Sequence, residues 1–281
     1  LTSTSLSGYK RPSVSDYANH QQRNEMKKTI VLLAGLSLIC SSSYLSGQVI
    51  LNETFDYADD AALHAAWTTS ASLSLNVTNG NPTPSALHSG TATIHQPIGV
   101  TFNITPTDAN PVILTGDLWY SGNNNQRNTI GLRTGANPLF EMGFYQASDA
   151  NGLAVRLVSL AGGGSAAGGW QPLVLYTELG AGSENAQWIR MQATFTTLSA
   201  TVTWDLGANG SIDGSETWTG VAATGAFSDL RFGGPSGVSS GGGAFAVDNI
   251  RLEVIPEPST LALSLLGGLG LMFFIRRRRN A

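Results

Sequence analysis

Between Asp205 and Glu216 the chain spaces oxygen-bearing side chains as a calcium loop does. Asp205, Asn209, Asp213 and Glu216 fall at positions 1, 5, 9 and 12 of a twelve-residue run, with Gly210 at position 6 and Ile212 at position 8. Calcium takes about six to eight hard oxygens, and carboxylates wrapped around a glycine turn supply them, with Ser211 adding its carbonyl. Position 3 is Gly207, which brings no ligand, and the flanks Thr201–Trp204 and Thr217–Thr219 read as strands, not helices. The same residues also fit a long β-hairpin whose Asn209-Gly210 and Asp213-Gly214 turns need positive φ. Both readings stay open on the sequence. A structural calcium ion is the one cofactor for which the chain offers a ligand set.

A second chemistry is stacking on sugars. Trp119, Tyr120, Tyr145 and Trp170 lie at strand ends or beside polar loops, where exposed rings can meet a sugar face. Trp67 and Trp188 are assigned to the core. Catalysis finds less support. A glycosidase needs two carboxylates flanking one bond, as a Glu-x-Asp-x-x-Glu run on one strand would supply. No such run occurs. Glu141 is alone on its strand, and Glu178 and Glu184 lie in a glycine-containing loop. There is no Gly-x-Ser-x-Gly elbow and no His-Glu-x-x-His. His64 falls on a short helix, while His88 and His95, seven apart, read as ordinary surface histidines. The chain is therefore expected not to be an enzyme.

The tail is a different kind of signal. Pro256-Glu257-Pro258 precedes Ser259 and Thr260, an uncharged run from Leu261 to Ile275, and then Arg276, Arg277, Arg278 and Arg279. Residues 259–275 are just long enough for a transmembrane helix, which needs about 17–25 residues. The four arginines orient it with the C-terminus in the cytoplasm. The prolines cannot continue a helix and leave Glu257 on an extended strip outside the membrane. The run from Val254 to Ala281 resembles the PEP-CTERM sorting domain of Gram-negative bacteria. That resemblance implies processing near Pro256-Glu257-Pro258 by an exosortase.

The front end matches an exported chain. From Met26, Lys27 and Lys28 supply a charged start, Ile30–Ile39 an apolar segment, and Ser41–Gly47 the small residues of a cleavage site. Residues 26–47 thus read as a signal peptide, and residues 1–25 as a disordered leader or one of doubtful translation. Cys40, the sole cysteine, falls inside the signal, which leaves residues 48–255 without a thiol or a disulfide. That segment holds sixteen acidic residues against six arginines and no lysine, a net charge of −10. Such a balance excludes nucleic acid as a partner.

Residues 48–255 read as one β-sandwich domain, followed by the sorting signal at 256–281. Short apolar-alternating runs recur at Val49–Phe55, Leu73–Val77, Ala92–His95, Val100–Ile104, Val112–Tyr120, Thr129–Arg133, Leu139–Tyr145 and Ala154–Leu160. They continue at Leu173–Thr177, Trp188–Phe195, Thr201–Trp204, Ala226–Phe232 and Ala244–Val254. Asp59 is placed to cap one short helix reaching Trp67. The closing run Phe245-Ala246-Val247-Asp248-Asn249-Ile250, the opening Glu53-Thr54-Phe55-Asp56 and the Trp188-led strand resemble concanavalin A-like and laminin-G-like domains. The resemblance implies an all-β jelly-roll β-sandwich with one short helix, flanked by the signal peptide and a single C-terminal transmembrane helix. Another sandwich of carbohydrate-binding-module type is the alternative.

The expected protein is an exported surface or extracellular-matrix protein. The secretion machinery carries it across the inner membrane, its C-terminal helix holds it there transiently, and an exosortase releases it. Extracellular polysaccharide is its expected ligand. A secreted glycan-active enzyme working through Glu141, or an unprocessed membrane-anchored binding protein, are the competing readings.

Overall fold

Odd and even residues of Val112–Tyr120 face opposite sides, as period-2 alternation requires. Val112, Leu114, Leu118 and Tyr120 are fully buried on one side, while Ile113, Thr115, Asp117 and Trp119 line the other. In the computed structural model the described residues are 47–68, 72–89, 94–135, 137–146, 151–157, 160–161, 170–223, 225–234 and 245–255. They belong to one unit, Gly47–Glu257.

In chain order the elements are β1 (Gln48–Glu53), α1 (Asp60–Ala66), β2 (Leu73–Asn76), β3 (Ser85–His88), β4 (Ile94–His95), β5 (Val112–Tyr120), β6 (Asn128–Thr134), β7 (Asn137–Gln146) and β8 (Asn151–Arg156). Then follow β9 (Leu160–Ala161), β10 (Trp170–Leu175), α2 (Tyr176–Leu179), β11 (Gln187–Phe195), β12 (Ser199–Leu206), β13 (Gly214–Thr219), β14 (Ala222–Ala223), β15 (Asp229–Gly233) and β16 (Phe245–Val254). The larger sheet runs β13-β12-β11-β5-β16-β3-β2, with β1 also on β16, and the smaller runs β10-β8-β7-β6-β15-β4. The pairs within both are antiparallel. Packed face to face, the two sheets form a jelly-roll β-sandwich.

The core lies between the sheets. Phe140 of β7 meets Phe195 of β11 edge-on at 4.8 Å, and Phe195 in turn meets Phe227 at 5.0 Å. Such T-shaped pairs add to the area they bury. At the other end Phe55, Trp67 and Phe232 pack as a triad. Asp59 caps α1 as its sequence predicts: its Oδ1 accepts the Ala62 amide at 2.8 Å, and buried Leu63 ties the helix to the core.

The structure departs from the sequence expectation in four places. Val100–Ile104 forms no strand but a single bridge from Ile104 to Phe227, since Pro97 and Pro106 flank it and donate no hydrogen bonds. Ser85–His88 is a strand the sequence hid behind Pro82 and Pro84. Its neighbours β2 and β16 supply the pairing that makes it one. The run expected as Leu173–Thr177 breaks at Tyr176 into a second short helix, α2. Trp188 is buried, but on the outer face of the larger sheet, against Trp119 at 5.5 Å, and not in the inter-sheet core. Among the described residues no helix is long and apolar enough to cross a membrane. The expected signal peptide and the 259–275 helix lie outside the described residues.

Candidate functional site

The outer face of the smaller sheet gathers polar and aromatic side chains in ordered rows. Along β7, Phe140, Met142 and Phe144 enter the core, which turns Glu141, Gly143 and Tyr145 outward. The same alternation turns out Ala154 and Arg156 of β8, Thr129, Gly131 and Arg133 of β6, and Asp229, Arg231 and Gly233 of β15. Register then aligns Arg231, Gly131, Glu141, Arg156 and Trp170 as one row across five strands. The adjacent row, Gly233, Thr129, Gly143 and Ala154, holds only small residues. Backbone geometry enforces part of this: Gly143 has φ 144, and a Cβ there would stand 2.2 Å from the Asn128 carbonyl oxygen. Thr129, Gly131, Arg133, Glu141, Arg231 and Gly233 line a shallow recess.

At the β10 end of the rows, Tyr145 and Trp170 stack at 4.2 Å with their planes 12° apart, packed with Ala154. The Arg156 guanidinium lies 5.9 Å from the Trp170 ring centroid, within cation–π reach. Arg156 Nη1 also approaches Glu141 Oε2 at 3.5 Å. At the other end Asp229 Oδ2 accepts from Arg231 Nε at 2.7 Å and from Gln96 Nε2 at 2.6 Å. Burial, and then the neighbouring Arg231, push the Arg133 pKa down. Thr129, Glu141, Trp170 and Arg133 are buried on this face, so the groups that reach solvent include Tyr145, Arg156 and Arg231, one ring beside charged donors.

The sequence placed Trp119 and Tyr120 with Tyr145 and Trp170, and the structure separates them. Tyr120 belongs to the core: it is fully buried, and its hydroxyl reaches the Gly180 carbonyl at 2.6 Å and Asn124 Oδ1 at 2.9 Å. Trp119 is half-buried on the outer face of the larger sheet, opposite to the Tyr145–Trp170 pair across the sandwich. Beside it lies a clasp that sequence reasoning missed. Arg190 Nε and Nη2 donate to Asp117 Oδ1 and Oδ2 at 2.7 and 2.8 Å, a bidentate pair. Asp117 Oδ2 also accepts from Asn81 Nδ2 at 2.9 Å and Asn249 Nδ2 at 2.8 Å. Asp248 accepts the backbone amides of Asn81 and Asn249 at 2.7 and 2.8 Å. Burial raises the Asp248 pKa to about 7, the two backbone bonds pull it down, and Asp117 adds to the rise. The one linear signal for the clasp was Asp248-Asn249 on the closing strand, where the register slips between Asp248 and Arg251 and Asn249 takes φ 50.

The Asp205–Glu216 segment adopts the hairpin form. Asp205 Oδ1 and Oδ2 accept the amides of Asn209 and Gly210 at 3.0 and 2.7 Å, and Asp213 Oδ2 accepts the Leu206 amide at 2.6 Å. Asn209 Oδ1 accepts the Ser211 amide at 2.9 Å. Gly207, Ala208 and Gly210 take the positive φ values of the turn. Glu216 pairs with Val202 while Asp205 pairs with Arg190, which sets the two acids on opposite faces of the sheet. The five candidate ligands are thus not gathered around one point. Among the described residues no cluster of three or more His, Cys, Asp or Glu is placed to hold a metal.

The histidines are a further correction. His88 and His95 are fully buried, and His88 Nδ1 meets His95 Nε2 at 2.9 Å, joining β3 of one sheet to β4 of the other. His95 Nδ1 faces the Thr68 carbonyl at 3.3 Å and must carry the proton there, so His88 Nδ1 donates to His95 Nε2. His64, on α1, turns Nε2 to the Leu73 carbonyl at 2.8 Å.

The sorting residues Pro256, Glu257, Pro258 and Arg276–Arg279 lie outside the described residues, and their assignment rests on sequence. Residues 254–279 match the PEP-CTERM protein-sorting motif. The chain carries an exosortase sorting signal. A PEP-CTERM motif marks an exported protein, consistent with the charge and cysteine usage of residues 48–255. No curated protein sequence matches the chain. Among solved structures it is similar to domain 4 of the extracellular arabinanase AbnA from Geobacillus stearothermophilus, in complex with arabinotriose. The two share 14% identity over 77% of this chain and 97% of that one, with a TM-score of 0.41. It is also similar to the CBM22-1 xylan-binding domain from Paenibacillus barcinonensis Xyn10C, at 11% identity over 75% and 96% of the two chains and a TM-score of 0.33. Winged bean acidic lectin, complexed with methyl-alpha-D-galactose, is similar at 7% identity over 75% and 99%, with a TM-score of 0.41.

Proposed function

We propose that the exported sandwich is a non-catalytic glycan-binding module, delivered by its PEP-CTERM tail to the cell surface or to an extracellular polysaccharide matrix. One observation carries the reading: the stacked Tyr145–Trp170 pair shares a sheet face with Arg156, Glu141 and Arg231, and Trp170 lies in their row of paired residues. A sugar needs an aromatic edge for its C–H face and fixed polar groups for its hydroxyls, and this face presents both. Tyr145 and Glu141 lie four residues apart on one strand, about 13 Å by strand rise, a span that several sugar units would occupy.

In this reading Glu141 orients a hydroxyl and does not transfer a proton. Two-carboxylate hydrolysis needs a second acid free to act on the same bond. The nearest candidate on this face, Asp229, is held by Arg231 and Gln96. The sorting tail anchors the chain in the inner membrane until an exosortase cuts near Pro256-Glu257-Pro258.

Polysaccharide affinity electrophoresis on the full chain in detergent tests the proposal, with reducing-end release assayed in parallel. Retention by at least one polysaccharide, weakened at least tenfold by Tyr145→Ala and without release of reducing ends, is the expected result. Reducing ends that appear with the native chain and vanish with Glu141→Gln would make it an enzyme. Retention by no polysaccharide would overturn the glycan reading altogether.

A further inference from the structure

Residues 48–255 carry six arginines among sixteen acids, and three of the six, Arg133, Arg156 and Arg231, lie on one face of the smaller sheet. Among the described residues only Glu141 and Asp229 offset them there, which leaves one more cation than anion on this face in a domain whose net charge is −10. The three cations are not scattered. Arg231 and Arg156 occupy the same cross-strand row, and Arg133 stands beside them in the lining of the recess.

The arginines are held, which makes them directional. Arg231 engages Asp229 through Nε, and among the described residues no protein group meets its Nη atoms. Arg156 is fixed between Glu141 and the Trp170 ring. Burial above all, and then Arg231, lower the Arg133 pKa, while Glu141 and Asp229 oppose the fall. Gly131 and Gly233 place no side chain between them, which leaves room about the size of one water molecule, enough for a single oxygen of an anionic group. A guanidinium fork matches a carboxylate or another oxyanion in geometry as well as charge. A neutral glycan would require none of this concentration of charge.

We propose that the recess among Arg133, Arg231 and Glu141 takes the anionic group of an acidic sugar, so that the polysaccharide bound by this face is charged. The inference rests on the glycan reading above. The shared ligand chemistry is an anionic oxygen group on a sugar ring, from either a uronate carboxylate or a sulfate ester. Specificity then divides between two ends of one face: the Tyr145–Trp170 stack contacts the ring of one unit, and the arginines fix the charge of another.

Affinity electrophoresis of the full chain in detergent provides the test. The probes are polygalacturonate, its carboxyl-reduced form, dextran sulfate, and neutral dextran, xylan and arabinan. Retention by polygalacturonate that is lost on carboxyl reduction identifies a uronate. Retention by dextran sulfate but not by dextran identifies a sulfate ester. Arg231→Gln should weaken either by at least tenfold, and Asp229 keeps its Gln96 bond in that variant. Should Arg231→Gln fail to fold, the comparison of each charged polymer with its neutral form on the native chain decides alone. Equal retention by charged and neutral forms, or a folded Arg231→Gln that binds as the native chain does, overturns the charge inference and leaves a neutral-glycan module. Retention by no polysaccharide, neutral xylan and arabinan included, overturns both.

Discussion

Glu141 and Arg231 face each other across Gly131, two strands apart on a single cross-strand row. The missing side chain between them leaves the recess open. A Cβ at Gly131 would stand 2.7 Å from the Phe140 carbonyl oxygen and 3.1 Å from Glu141 Cγ. Gly131→Ala should therefore destabilise by about 1–3 kcal/mol, the usual cost of overpacking. It should also abolish polysaccharide retention under conditions where the variant stays folded. Urea denaturation and affinity electrophoresis together check it; unchanged values in both would show that the row tolerates a methyl group.

The stacked aromatics should separate into two roles. Trp170 is 6% exposed, while Tyr145 is half-buried. Trp170→Ala is expected to lose about 3 kcal/mol of stability through the cavity it leaves. Tyr145→Ala should cost less stability yet remove most of the binding. Comparing thermal unfolding with retention on the same two variants tests the assignment.

On the opposite face, Arg190→Met removes the counter-ion of fully buried Asp117. Breaking a buried pair costs about 3–5 kcal/mol, and the partial exposure of Arg190 places the expected loss near the low end. Sugar retention should be unaffected, since the clasp lies across the sandwich from the proposed site. A loss below about 1 kcal/mol would reduce the clasp to an ordinary surface ion pair.

Two buried groups titrate in opposite senses. Burial lowers the His95 pKa to about 4, with the Thr68 carbonyl opposing and His88 and His64 reinforcing. The unfolded chain binds a proton at His95 before the native one does, so stability contributed there falls as pH drops from about 6.5 to about 4. Asp248, raised to about 7, holds a proton in the native state that the unfolded chain has already lost. Its contribution falls as pH rises from about 4 to about 7. Each is on the order of 3 kcal/mol, and over pH 4 to 6.5 they offset. His95→Phe should then leave stability declining with rising pH, and Asp248→Asn should leave it increasing. Urea midpoints across that range read both slopes; identical slopes in the two variants would remove the explanation.

Calcium addition should leave the melting temperature unchanged, because Asp205, Asn209 and Asp213 already accept backbone amides. A rise that Asp205→Asn abolishes would restore the calcium-loop reading of residues 205–216.

The sequence by itself determined what is local or linear. A sorting tail is read by other machinery along the chain, so Pro256-Glu257-Pro258, the apolar run and four arginines suffice to identify it. Asp59 capping α1 and the alternation of Val112–Tyr120 are equally local, since one residue or one period decides each. Alternation says that Glu141 and Tyr145 share a face, but not which strands lie beside β7. Only the tertiary structure decided that. Tyr145 meets Trp170, and Glu141 meets Arg156 and Arg231, because strand order and register bring together residues far apart in sequence, and a slip of one residue would turn each to the other face. The same pairing buried His88 against His95 between two sheets and turned the calcium-like spacing of residues 205–216 into a hairpin, because backbone amides reached those carboxylates first.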